Sequence, residues 1–161
     1  MNLAAAATHR RFLWFLHADS RLGTSAISSL VRSLREAPDA LHYFDLVFET
    51  DQLRRMAINN VGVWVRSHLL GMPFGDQGFC VKREVFARLG GFDEQARYGE
   101  DHLLVWSAHR AGIKVRCTGE KIGTSARKYL DRGWLATTVD HQALTIKQAW
   151  PQVRKLLKGA G

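Results

Sequence analysis

The sequence predicts an α/β domain. Short apolar runs of strand length alternate with segments whose apolar residues recur at helical spacing, and no internal repeat or low-complexity linker breaks the alternation. The first run, Arg11-Phe12-Leu13-Trp14-Phe15-Leu16-His17, is continuously apolar from Phe12 to Leu16, the pattern of a strand covered on both faces as in parallel sheets. The turn His17-Ala18-Asp19-Ser20 closes it. Thr24 or Ser25 then caps a helix carrying Ile27, Leu30, Val31 and Leu34, which Ala37-Pro38 stops. Leu41 to Phe48 reads as a second strand. Asp51 caps a long helix through Leu53, Met56, Ala57, Val61, Val65 and Leu69, ended by Gly71-Met72-Pro73-Phe74-Gly75.

A brief strand at Gly78–Lys82 leads into a helix from Arg83 to Leu89, terminated by Gly90-Gly91. Phe92-Asp93-Glu94 forms a loop. Glu100 and Asp101 open a helix whose buried side is Leu104, Ala108 and Ala111, with Gly112 at its end and a strand from Ile113 to Cys117 beyond. A last helical stretch runs from Trp134 to Lys158, interrupted at Pro151; its part from residue 142 to 158 is basic and amphipathic.

Composition narrows the class. With 161 residues, 46% of them hydrophobic and only 3 Pro, the chain is expected to form one domain, residues 1–161, with a real core. Cys80 and Cys117 stand far apart with no C-x-x-C pair, which argues against a disulfide scaffold and against a zinc site built on thiolates. Phe12 to Leu16 is far shorter than the roughly 20 apolar residues a membrane span needs. Arg10 and Arg11 follow the Ala4–Ala7 run where a signal peptide would have them precede an apolar stretch. A cytoplasmic protein is expected.

The net charge is +8, carried by 16 Arg and 7 Lys. Between Arg110 and Arg132 lie seven basic and two acidic residues, and between Lys147 and Lys158 four basic and none acidic. A basic C-terminal third of this kind suits a nucleic-acid surface, an anionic membrane surface or a phosphorylated small molecule, or is simply a solvated face. The chain contains no recognised nucleic-acid-binding motif. The segment with Ile146, Trp150, Val153 and Leu157 beside Lys147, Arg154 and Lys155 is expected to dock on the domain, because Pro151 interrupts it. Weak contact with the inner membrane face is the secondary expectation.

Four segments could carry chemistry. Asp19 follows a strand end, where open α/β sheets bind ligands, and can either hold a hard cation or make an Asx-type turn. A haloacid-dehalogenase-type phosphatase would need a nucleophilic aspartate two residues before Asp19, where His17 stands. Glu100 and Asp101 suit the positive end of a helix dipole, and equally suit a general base that accepts a hydroxyl proton. Gly75-Asp76-Gln77-Gly78 is a turn, or a polar cradle that a sugar can approach closely. In Thr124-Ser125-Ala126-Arg127-Lys128-Tyr129, Arg127 can bond a diphosphate bidentately while Lys128 faces water.

Phe15-Leu16-His17-Ala18-Asp19-Ser20-Arg21-Leu22, Gly75-Asp76-Gln77-Gly78, Leu89-Gly90-Gly91-Phe92, Glu100-Asp101 and Thr124-Ser125-Ala126-Arg127, in this order, resemble a family 2 glycosyltransferase. The closer likeness is to the bacterial subgroup whose metal motif reads His-Ala-Asp-Thr/Ser. The resemblance spans Met1 to about Trp134. It implies a GT-A-type sandwich, a nucleotide-diphosphate sugar donor, an acceptor hydroxyl, inversion at the anomeric carbon, and a divalent cation, magnesium or manganese, at Asp19. Asp101 would be the general base with Glu100 beside it. Asp76, Gln77 and Gly78 would line the sugar site, and Arg127 would neutralise the departing diphosphate. His17 stands where many members have a first metal-binding aspartate.

Met1-Asn2-Leu3-Ala4 aligns with an internal helix of the family. The βα units that hold base and ribose would therefore precede Met1, and this chain would be the acceptor-side part. Without them the apolar strand at Phe12–Leu16 would lack a neighbour, which favours homodimerisation. The alternative function is a catalytically inactive remnant that binds a partner or an anionic surface through its basic third.

Overall fold

The computed structural model describes residues 1–49, 53–96 and 98–125. The chain divides into two compact units, Met1–Thr124 and Ser125–Gly161. Arg127 and the expected helix at 134–158 lie outside the described residues.

In chain order the elements are α1 (Asn2–Ala7), β1 (Phe12–Trp14), β2 (Arg21–Leu22), α2 (Ala26–Glu36), β3 (Leu41–Glu49), α3 (Leu53–His68), a 3-10 turn (Gly75–Gln77), β4 (Cys80–Lys82), α4 (Arg83–Arg88), α5 (Glu100–Arg110) and β5 (Val115–Ser125). The expected α/β class holds. The five strands form one mixed sheet in the order β1-β4-β3-β5-β2. β4 pairs antiparallel with both β1 and β3, through Leu13 opposite Val81 and His42 opposite Cys80, and β2 pairs antiparallel with β5.

β1 departs from its expected form. It is three residues long, lies at the sheet margin and pairs antiparallel; Leu13 is buried while Phe12 and Trp14 are half-buried. The rest of its apolar run serves packing beyond the strand. Phe15 leaves the strand after one more ladder bond, from its N–H to the Phe79 carbonyl at 2.8 Å, and packs with Phe86 and Phe92 at centroid distances of 5.1 and 4.9 Å. Gly90 and Gly91, at φ +87° and +70°, turn the chain so that Phe92 enters this cluster. The Asn2 side chain clamps Phe92 on both sides, Nδ2 donating to its carbonyl at 2.8 Å and Oδ1 accepting from its N–H at 3.0 Å.

α2 is rotated from the face its apolar residues suggest. Ile27 and Val31 are exposed, whereas Ala26, Ser29, Leu30 and Ser33 are buried. Hydroxyl bonds decide this. Ser29 Oγ donates to the Thr118 carbonyl at 2.8 Å, and Ser33 Oγ lies 2.9 Å from His42 Nδ1. His42 Nε2 is 2.9 Å from the Ala37 carbonyl, so Nε2 carries the proton and Nδ1 accepts from Ser33. Burial holds His42 below the usual histidine range; the Ala37 bond opposes that shift and the Arg116 charge adds to it.

In α5, Leu104 and Ala108 are buried as expected, with His102, Val105 and Trp106, but Ala111 caps the helix and is exposed. β5 runs eight residues past Cys117. Ile122 and two threonines, Thr118 and Thr124, are its buried residues beyond that point, and threonine hides a strand from a search for aliphatic runs.

Candidate functional site

The Gly75–Gln77 turn precedes β4 and meets the end of β1, because those strands run in opposite directions. Its base is Gln77, which is fully buried. Gln77 Oε1 accepts from Ser67 Oγ at 2.9 Å, the Phe74 N–H at 3.0 Å and Arg66 Nη2 at 3.2 Å, while Nε2 donates to the Phe44 carbonyl at 2.9 Å. Both ends of the amide are thus engaged by protein, and Gln77 ties the turn to α3 and β3. It presents no surface to a sugar, so the expectation that it lines the sugar site gives way to a positioning role. Arg66 also donates from Nε to the Met72 carbonyl at 2.9 Å and lies 3.4 Å from the Phe74 ring centroid.

Gly78 comes next, in the left-handed region at φ +66°, and is itself buried. A Cβ there would come within 3.1 Å of Leu16 Cδ2, 3.2 Å of Ile122 Cδ1 and 3.4 Å of Trp14 Nε1. Gly78 therefore permits β1, β5 and the turn to approach, which is the close-packing role of a cradle glycine.

Asp101 and Asp19 are brought to this turn from far along the chain. Asp101 stands in the first turn of α5, after Gly99 at φ +67°, and its Oδ2 accepts from the Gly75 N–H at 2.5 Å. A Cβ on Gly75 would lie 3.0 Å from Asp101 Cβ and Oδ2, so a side chain there would push the carboxylate back by a few tenths of an ångström. Glu100 is half-buried beside it, with no such bond to the turn among the described residues. Asp19 is exposed, just past β1, and its Oδ2 accepts from Thr124 Oγ1 at 3.2 Å. That bond accounts for Thr124, which opens the last motif.

Asp76 sits among these groups. The residue is half-buried, yet its Oδ1 is shut off from solvent and has no hydrogen-bond partner among the described residues. Burial pushes its carboxyl up from the ordinary range; the Arg66 charge opposes this, Asp101 reinforces it, His17 opposes it and Asp19 reinforces it. Trp14 Nε1, close to Gly78, is a second buried polar atom without a partner among the described residues. One orphaned acceptor and one orphaned donor thus flank the same glycine turn. Buried polar atoms are nearly always paired; Trp106 Nε1, on the buried side of α5, is a third without a partner among the described residues. Trp14 and Arg66 carry no motif; an aromatic in an apolar run and an arginine in an amphipathic helix look like core and surface.

The donor set at Asp19 fits a hard cation. One exposed carboxylate, anchored through Oδ2 by Thr124, leaves Oδ1 for an ion that takes its remaining oxygens from phosphate and water. Among the described residues Asp19, Asp76 and Asp101 do not bring three ligating atoms close enough to share one ion. Neither a protein-family model nor a curated protein matches the chain.

Proposed function

We propose that this chain carries the acceptor-side active site of an inverting, metal-assisted glycosyltransferase that uses a nucleotide-diphosphate sugar. The observation that supports the reading most directly is the meeting of Asp19, Asp76 and Asp101, which stand far apart in sequence, around one glycine turn. Asp101 is the general base. Its Oδ2 is anchored on the Gly75 amide, which leaves Oδ1 to take the acceptor's hydroxyl proton. As that proton moves to Asp101, the acceptor oxygen forms a bond to the anomeric carbon and the bond to the diphosphate oxygen breaks, its electron pair leaving with the diphosphate. A cation at Asp19, magnesium or manganese, would supply charge neutralisation for that leaving group. Asp19, fixed through Oδ2 by Thr124, would hold that cation, and Arg127 is the further candidate for the diphosphate. Asp76, half-buried in the turn, is the candidate contact for a sugar hydroxyl, and the buried Gly78 serves by letting the turn pack closely on β1 and β5.

Two measurements test the reading. Asp101→Asn is expected to lower sugar transfer by about 10²–10⁴-fold while donor binding persists; near-normal transfer would remove Asp101 from the mechanism. Asp19→Ala is expected to abolish manganese-dependent binding of uridine or guanosine diphosphate in calorimetry. Unchanged binding would leave Asp19 as a turn residue. No manganese-dependent nucleotide binding by the unaltered chain, together with salt-sensitive binding to anionic surfaces, would favour the inactive remnant.

A further inference from the structure

Away from that site, β3, the last turn of α3 and β5 bring together three side chains of different donor chemistry. Asp45 lies on β3, His68 is the final residue of α3, and Cys117 is on β5, the strand next to β3. Their ligating atoms all lie within 4.8 Å of one another. His68 Nε2 and Asp45 Oδ1 are 2.7 Å apart, and the two side chains keep 27% and 25% of their surface exposed. Both cysteines are free, and Cys117 is half-buried.

We propose that Asp45, His68 and Cys117 form a metal site for a divalent ion of borderline softness, of the zinc or cobalt class, held through one carboxylate oxygen, one imidazole nitrogen and one thiolate sulfur. The donor set selects this class: imidazole and thiolate suit zinc and its neighbours, while magnesium and manganese prefer all-oxygen sites. Charge also balances, since a carboxylate and a thiolate together neutralise a dication with histidine neutral.

Bond lengths of about 2.0–2.3 Å at a tetrahedral ion separate the donors by about 3.3–3.8 Å, so an ion enters with side-chain adjustments of about 1 Å. Partial exposure at Asp45 and His68 leaves the fourth position to water.

The surroundings orient two of the three donors. Trp64, one turn before His68, stacks on its ring at 4.8 Å and 19°, and Tyr43 meets the same ring edge-on at 6.0 Å. Tyr43 is held by donating its hydroxyl proton to the Ser67 carbonyl at 3.1 Å. The Gly119 N–H points to Cys117 Sγ at 3.4 Å, a bond that favours the thiolate. Without an ion, burial and the Asp45 carboxylate push the Cys117 thiol up to about 11 and keep it protonated. An Asp–His hydrogen bond needs no third partner, yet the half-buried Asp45 carboxylate also receives the Cys117 thiol. Their meeting at ligating distance is what the proposal rests on.

The test uses the full reduced chain, stripped of metal and titrated with cobalt(II). The expected result is one cobalt per chain, with a sulfur-to-cobalt charge-transfer band that zinc displaces and manganese does not. Cys117→Ser should abolish the band and weaken zinc binding at least about 100-fold, since even an outer-shell partner of a metal site is worth about 10–100-fold. Asp19→Ala should leave the band unchanged, which separates this site from the proposed transferase site. Zinc should also slow alkylation of Cys117 in the unaltered chain at least about 10-fold, a readout that needs no variant to fold. Absence of the band, its survival in Cys117→Ser, or alkylation indifferent to zinc would overturn the proposal.

Discussion

Asp76 and Gln77 are adjacent in sequence and belong to one turn, yet their polar atoms are treated in opposite ways. Every polar atom of the Gln77 side chain has a protein partner, contributed by α3, β3 and the turn itself. Asp76 keeps a solvent-shielded oxygen with none, and does so beside two further carboxylates. A satisfied buried amide rigidifies a fold, whereas an unsatisfied buried carboxylate burdens it. The pair therefore separates scaffold from site within two residues: Gln77 fixes the turn in place so that Asp76 can be held where the fold alone would not favour it.

The largest test of this contrast is Gln77→Ala. It orphans the Ser67 hydroxyl, the Phe74 N–H and the Phe44 carbonyl and removes a bond from Arg66, so denaturant unfolding should show a loss of roughly 3 kcal/mol or more. A loss below about 1 kcal/mol would mean that water replaces the amide and that the turn stands without it.

Asp76→Asn should act in the other direction on stability, with a gain on the order of 1 kcal/mol at pH 7 and a loss of sugar transfer. The pH dependence carries the sign. Because the folded-state pKa is raised above 3.8, the folded chain holds a proton that the unfolded chain has lost, so Asp76 favours folding more as pH falls through its folded pKa. The stability difference between Asp76→Asn and the unaltered chain should therefore shrink toward pH 4. A constant difference would show that the Asp76 charge is not the burden.

His42 supplies the smallest effect, and the opposite slope. Its folded pKa lies below 6.5, so its contribution is present above pH 6.5 and is lost as pH falls through the folded value. His42→Gln should flatten the acid side of the stability curve by under about 1 kcal/mol between pH 7 and pH 5.5. A wild-type curve already flat there would show that the Ser33–His42–Ala37 bonds survive protonation.

Local patterns made most elements legible. α2, β3, α3, α4 and α5 fall where apolar periodicity, Pro38 and the glycines after the helices put them, because each signal involves residues within a turn or two of one another. The segments 15–22, 75–78, 100–101 and 124–127 could be singled out for the same reason: each is a short string of residues with its own chemistry.

Periodicity could not show which neighbour a residue would meet. α2 turns Ser29 and Ser33 inward because Thr118 and His42, on two different strands, accept from or pair with their hydroxyls. Gln77 reads like a sugar ligand until α3 and β3 close over it. Residue order was enough to specify an α/β chain with polar segments at strand and helix ends. Packing in three dimensions was needed to make Gln77 scaffold, to leave Asp76 unpaired, and to bring Asp45, His68 and Cys117 together, because donor proximity across three elements depends on sheet order and helix packing.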